Sequence, residues 1–424
     1  MRESAINSSK NIFSARTLFT DMARKTVFTV LQNIRHGCLI IEEGTEQFIF
    51  GESDSRQDIK AHIVVNDPGA YAMVLKNGDL GAGEAYMLGY WSSPQLLEVI
   101  RIFVANMHAL EEINGQQSWL RRMSGNLYHW LRTNTRKQAK ENIAAHYDLS
   151  NEFFSLFLDE TMAYSAGIFL HKEQSLLEAS RLKFKHICER LQLDETDHLL
   201  EIGTGWGGLA IYAAKHYGCR VTTTTLSSEQ FTYARDWVER EGLQDRITLY
   251  LKDYRDLEGK YDKLVSVEMI EAVGAKFYAK YFSKCNELLK PEGLMLIQAI
   301  TISDQRYQKS VNSIDFIKRY IFPGGQLPSN SVIACHLASD TDMQLIGLED
   351  MTLDYAQTLK LWRLNFLQKT EELKGQGLDG IFLRMWEYYL CFCEGGFRER
   401  VIHTGQFLIA KPGFRKLPRL RVEV

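Results

Sequence analysis

At 424 residues, 45% hydrophobic and 24% charged, the chain is long enough for about two domains with well-filled cores. A formal net charge of −3 gives no overall attraction for polyanions, and no nucleic-acid partner is expected. Seven cysteines without a CxxC pair argue against a disulfide scaffold and a structural zinc site, so reduced thiols, a cytoplasmic setting and no metal are expected.

The opening segment MRESAINSSKNIFSARTLFTDMARK is broken by charges where a secretory leader needs an apolar core. No window reaches 18 uninterrupted apolar residues, so nothing is expected to span a membrane. Residues 1 to about 35 read as a helical arm. From Gly37 to about Val65, isoleucine, valine and phenylalanine alternate with polar residues, which predicts a few short strands. A helix-like run from about Pro94 to His108 completes a small α+β unit, expected over residues 1–111.

Residues 112–142 form a basic connector. Arg121, Arg122, Arg132, Arg136, Lys137 and Lys140 are interleaved there with Leu127, Tyr128, Trp130 and Leu131. Two readings stand: a solvated helix packing its aromatics on a neighbour, or an interfacial segment with cations against anionic headgroups.

From about His198, strand and helix alternate: HLLEI, GLAIYAAKHYG, CRVTTTTL, SSEQFTYARDWVEREG, ITLYLKDY, YDKLVSVEMI, KFYAKYFSKCNELLK and LMLIQAITI. Alternating βα units predict an α/β, Rossmann-like, doubly wound and mostly parallel sheet. This sheet belongs to a catalytic domain expected over residues 143–424, with helical insertions. Its last third, 305–424, reads as mostly helical and ends in the strand GQFLIAKP.

The chemistry starts where the first of these strands ends. Leu199, Leu200 and Ile202 flank Glu201, and Gly203, Gly205 and Gly207 follow at alternate positions before a helix. Glycine allows the positive dihedrals and close backbone approach that a cofactor lying over the turn demands. GxGxG lacks the later glycine of the pyrophosphate fingerprint GxGxxG, which suits S-adenosylmethionine, a cofactor without phosphate. The next strand ends at Thr222–Thr225 with no acid for ribose hydroxyls. Thr225 with Gln230 could serve instead, and strand propensity explains four threonines equally well. Tyr254 and Arg255, in KDYRDL, fall either in an adenine-contacting loop or in a plain charged one.

Taken in order, NIAAHYDLSNEFFSLFLDETMAYSAGIF, LLEIGTGWGGLA, TTLSSEQ, KDYRDL, SVEMIEAVG, YIFPGGQLPS, DYAQTLKLWRLNF and CEGGFRER resemble the cyclopropane-fatty-acyl-phospholipid synthases, relatives of the mycolic acid cyclopropane synthases. The resemblance implies a class I S-adenosylmethionine methyltransferase. Its cofactor site would be lined by Tyr164, Ser165, Glu201 to Leu209, Thr225 to Gln230, Tyr254 and Arg255. It also implies methyl transfer to the cis double bond of an unsaturated phospholipid acyl chain, a carbocation, and proton removal by a bound bicarbonate. In the family a Glu, a His, a Tyr and main-chain groups hold that bicarbonate.

Position by position, Glu271 matches the acid, Tyr355 the tyrosine and Ile300 a main-chain contact. Ala166 stands where the family has a cysteine, and Gln298 where it has the histidine on the last sheet strand. A glutamine donates a hydrogen bond but carries no proton as imidazole does. Cys393 matches a cysteine assigned to the family's active site, although a cation route needs no thiol. Among the aromatics, Tyr320 and Tyr355 lie in matching motifs, while Phe153, Phe154, Phe169 and Trp362 read first as core.

The segment GDLGAGEAYMLGYW resembles the family's accessory domain, which implies lipid engagement at the inner membrane surface and homodimer formation. The altered positions leave open a methylene- or methyl-branched product, and a lipid-binding protein with a vestigial site is the remaining alternative.

Overall fold

The computed structural model describes residues 20–52, 59–108 and 150–417. The basic cluster Arg121–Lys140 lies outside the described residues. The chain divides into two compact units, one within Met1–Arg121 and Thr370–Glu399, the other within Arg122–Lys369 and Arg400–Val424.

In the first unit, strands β1 (Cys38–Glu43), β2 (Glu46–Phe50), β3 (Lys60–Val65) and β4 (Trp91–Ser92) form a sheet of order β2-β1-β3-β4. The alternation of CLIIEE buries Leu39 and Ile41 on one face. YAMVLKNGDLGAGEAYM forms two helices, Gly69–Asn77 and Asp79–Met87. The helix Gly380–Arg398 also belongs here, so the domain expected to run unbroken over 143–424 is interrupted. Gly395 shows why this helix fits. A Cβ there would lie 2.7 Å from Ile100 Cγ2, so only glycine lets the helix Leu96–Ala105 come this close. Arg101 Nε donates to Glu399 at 2.6 Å beside that crossing.

The second unit is built on seven strands: β5 (His198–Ile202), β6 (Arg220–Thr225), β7 (Ile247–Leu251), β8 (Tyr261–Val267), β9 (Leu289–Ile302), β10 (Gln344–Asp350) and β11 (Ile402–Ala410). Their order is β10-β11-β9-β8-β5-β6-β7, with β11 antiparallel to both neighbours and the pairs from β9 through β7 parallel. The doubly wound sheet foreseen from the βα alternation is present. Strand β10 was not foreseen, because QLIGLED is a largely exposed edge strand with a bulge between Leu345 and Gly347.

Neighbouring residues of β5 face opposite layers. Leu200 and Ile202 pack with Leu264, Tyr281 and Phe282, whereas Leu199 packs with Val221, Leu209 and Ile187. Strand order reverses at β5 and β8, which opens a crevice beyond their carboxyl ends, the place where open α/β sheets bind ligands. No helix among the described residues is long and apolar enough to cross a membrane.

Candidate active site

The turn after β5 bends sharply. Gly203, Gly205 and Gly207 all have positive φ, at +99°, +52° and +99°. Gly203 N and Thr204 N both donate to Thr224 O on β6, at 3.1 and 2.9 Å, which pins the turn to the neighbouring strand. A Cβ on Gly207 would sit 3.2 Å from Ala234 Cβ, and one on Gly208 only 2.6 Å from the Thr161 carbonyl. A Cβ on Gly205 would meet nothing within 4 Å, so this glycine faces open space in which a cofactor can lie.

The groups around the turn are organised too. Glu201 is buried and accepts from the Thr223 hydroxyl, and burial pushes its carboxyl up to about 8. Thr225 Oγ1 donates to Gln230 Oε1 at 2.9 Å, which joins the two residues into one polar edge at the end of β6. After β7, Asp253 is nearly buried and clamps Arg255, accepting its Nε at 2.8 Å and its backbone N at 2.9 Å. The charged loop is therefore folded inward, with Tyr254 packed edge-on against Tyr281 at 5.5 Å.

Tyr164 and Ser165 reach the same region from the segment before the helix Leu176–Arg190. The Tyr164 ring stacks on Trp362 at 5.1 Å and 29°, and Tyr355 meets Trp362 edge-on at 6.1 Å. Ser165 Oγ accepts from the buried Lys183 Nζ at 2.6 Å. Burial pushes the Lys183 ammonium down to about 8, against the opposing charges of Glu268 and Asp159.

At the centre stands Glu268, the first residue beyond β8. Its Oε1 accepts from Ala166 N at 2.9 Å and from Gln298 Nε2 at 2.8 Å, and its Oε2 accepts from the Tyr355 hydroxyl at 2.7 Å. Its own backbone N donates to Gln298 O at 2.7 Å. Glu268 has φ +49°, a left-handed conformation that costs a non-glycine residue about 1–3 kcal/mol and collects at functional sites. Loss of hydration raises its carboxyl above the usual range, opposed by the Ala166 and Gln298 donors, the Lys183 charge and the Tyr355 hydroxyl. Glu268 keeps some accessible surface despite these neighbours.

Glu271, three residues on, accepts from Ile300 N through Oε1, while its buried Oε2 has no hydrogen-bond partner. Burial first, and the Glu268 charge second, push it up to about 8. Both neighbouring carboxyls are thus raised by burial, and they differ in their partners: three donors oppose the shift at Glu268, whereas Glu271 accepts from Ile300 N.

Of the residues singled out from the sequence, Ala166, Gln298, Ile300, Glu271 and Tyr355 converge around the end of β8. The glycines, Glu201, Thr225, Gln230, Tyr254 and Arg255 border the adjoining strand ends. Cys393 lies on the helix Gly380–Arg398, in the other compact unit. Sequence reasoning passed over Glu268 and Lys183. The signals were there: Glu268 is an acid directly after the strand segment LVSV, and Lys183 falls on the helix face that buries Leu176, Ala179, Ser180 and Ile187.

Residues 134–407 match the mycolic acid cyclopropane synthetase family. The chain is 37% identical over 383 residues to a tuberculostearic acid methyltransferase of Mycobacterium tuberculosis, covering 88% of each chain. It is 36% identical over 357 residues to the cyclopropane-fatty-acyl-phospholipid synthase of Escherichia coli, covering 83% of this chain and 88% of the relative. Among solved structures, the cyclopropane synthase MmaA2 of Mycobacterium tuberculosis superposes with a TM-score of 0.60 at 29% identity, over 64% of this chain and 98% of that one. The mycolic acid cyclopropane synthase CmaA1, complexed with S-adenosylhomocysteine, does so with the same score at 28% identity, over the same shares. On these matches this chain belongs to the mycolic acid cyclopropane synthetase family and is an S-adenosylmethionine-dependent methyltransferase.

Proposed function

We propose that the enzyme methylates the cis double bond of an unsaturated phospholipid acyl chain and closes a cyclopropane. The observation that carries this reading is the pairing of an aromatic wall with a sunken carboxylate. Tyr164 stacks on Trp362, Tyr355 meets Trp362 edge-on, and the Tyr355 hydroxyl rests on Glu268. An alkene is a weak nucleophile and needs close positioning in a water-poor site. Bound S-adenosylmethionine supplies an electrophilic methyl. The chain's own residues do the rest: the open side of Gly205 leaves room for the cofactor, and aromatic faces stabilise a nearby cation by about 0.5–2 kcal/mol each.

Bicarbonate, the base that the resemblance implies, does not fit the residues present. Ala166 N, Gln298 Nε2 and the Tyr355 hydroxyl are all turned onto Glu268, and Ile300 N is turned onto Glu271. The proposed reaction therefore uses no bicarbonate step. The acyl chain is reached at a membrane surface, with the basic segment Arg121–Lys140 as the contact and the N-terminal unit assisting lipid engagement and dimer formation. A methylene- or methyl-branched product is the second reading, favoured by Gln298 and by the similarity to a tuberculostearic acid methyltransferase.

One experiment separates these outcomes. The protein is incubated with S-adenosylmethionine and vesicles of cis-unsaturated phospholipid, and the acyl chains are examined by mass spectrometry and NMR. A one-carbon gain with cyclopropane methylene signals is expected. A gain with exocyclic alkene or methyl-branch signals selects the second reading, and no gain refutes both.

A further inference from the structure

We infer that Glu268 is the general base of this enzyme, a carboxylate built into the chain where its relatives are expected to hold a small anion. The inference rests on the proposed alkene methylation and names the group that completes it.

Glu268 already makes the contacts that such an anion would need. A carboxylate offers about four acceptor directions. The chain fills three of them, two on Oε1 and one on Oε2, and so leaves one on Oε2 to take up a proton. The left-handed backbone at Glu268 is part of the placement, because it turns the side chain back over the end of β8 toward Ala166 and Gln298.

The orientation of Gln298 is settled by a chain of partners rather than by its own amide. Arg190 is a donor only, and its NH1 lies 3.3 Å from Gln406 Oε1, which also faces His186 Nδ1 at 3.1 Å. Gln406 Nε2 must then point the other way, and it donates to Gln298 Oε1 at 3.0 Å. That leaves Gln298 Nε2 to donate to Glu268, and it reaches the Ala166 carbonyl at 3.3 Å as well. Gln298 is accordingly a positioning residue. A glutamine there is the natural companion of a fixed carboxylate, since it donates one hydrogen bond and competes for no proton.

The step balances without a further reactant. The alkene π pair forms a carbon–carbon bond to the methyl, the carbon–sulfur pair stays on sulfur, and the far alkene carbon becomes cationic. Glu268 then takes a proton from the transferred methyl, and the released carbon–hydrogen pair closes the ring onto the cationic carbon. The neutral acid returns its proton to water after the product leaves. Glu271 is the weaker candidate, as it has a single backbone donor and holds its proton at neutral pH.

The test measures turnover on cis-unsaturated phospholipid vesicles in carbon-dioxide-free buffer, with and without added bicarbonate. Wild-type rate should be the same in both. Glu268→Gln should lose about 10²–10⁴-fold in kcat while still binding S-adenosylmethionine. Glu268→Gly, relieved of its strained backbone and lacking the carboxylate, should be inactive alone and recover with formate or bicarbonate. The proposal is overturned if wild-type turnover falls tenfold without bicarbonate and returns with it. It is equally overturned if either variant turns over like wild type without added formate or bicarbonate. Should wild type leave every lipid unmethylated with or without bicarbonate, the acceptor assignment fails first and the proposal falls with it.

Discussion

Glu201 couples the glycine turn to stability in a way that pH can expose. Its carboxyl is buried beneath the turn and pushed from 4.5 up to about 8, chiefly by burial, with the Thr223 hydroxyl opposing. The folded state therefore binds this proton more tightly than the unfolded chain does. The resulting stability is full below 4.5 and is lost as pH climbs through about 8. At about 1.4 kcal/mol per unit, the loss from this group between about pH 5 and about pH 7 is roughly 2.5 kcal/mol. Glu201→Gln stays neutral throughout and can still accept from Thr223 through its amide oxygen. Relative to wild type, the cofactor-free variant should therefore gain roughly 2.5 kcal/mol over the same range, read from urea denaturation at several pH values. Parallel stability curves for the two proteins would refute the reasoning.

Two further outcomes are expected. Gly205→Val fills the open side of the turn with a β-branched residue at φ +52°, so S-adenosylmethionine affinity measured by calorimetry should be abolished; retained affinity would move the cofactor elsewhere. Charge reversal within Arg121–Lys140 should weaken vesicle association, more strongly at low salt, and sedimentation with anionic vesicles that is indifferent to the reversal would return that segment to an ordinary solvated role.

Much of the scaffold was legible because its signals are local. Apolar strands, the glycine spacing and the strand–helix alternation each sit within a few residues of one another, and they lead to a parallel sheet with a sharp glycine turn. Strand β10 escaped this reading because an exposed edge carries no strong alternation. The placement of Thr370–Glu399 escaped it for a different reason. A helix with an apolar face announces that it packs, but not against what, and its fit depends on Gly395 meeting Ile100 from far up the chain.

The active site divides along the same line. By itself the sequence determined the fold and the family, since these depend on periodicity and on contiguous motifs. Only the tertiary structure separates the two acids of the loop. Glu268 is separated by 102, 30 and 87 residues from the donors Ala166, Gln298 and Tyr355, and no local pattern records that meeting. A motif offers Glu268 and Glu271 as two acids on one loop. Burial raises both carboxyls; the donors Ala166 N, Gln298 Nε2 and the Tyr355 hydroxyl oppose the rise at Glu268, whereas Glu271 accepts from Ile300 N and is pushed up to about 8.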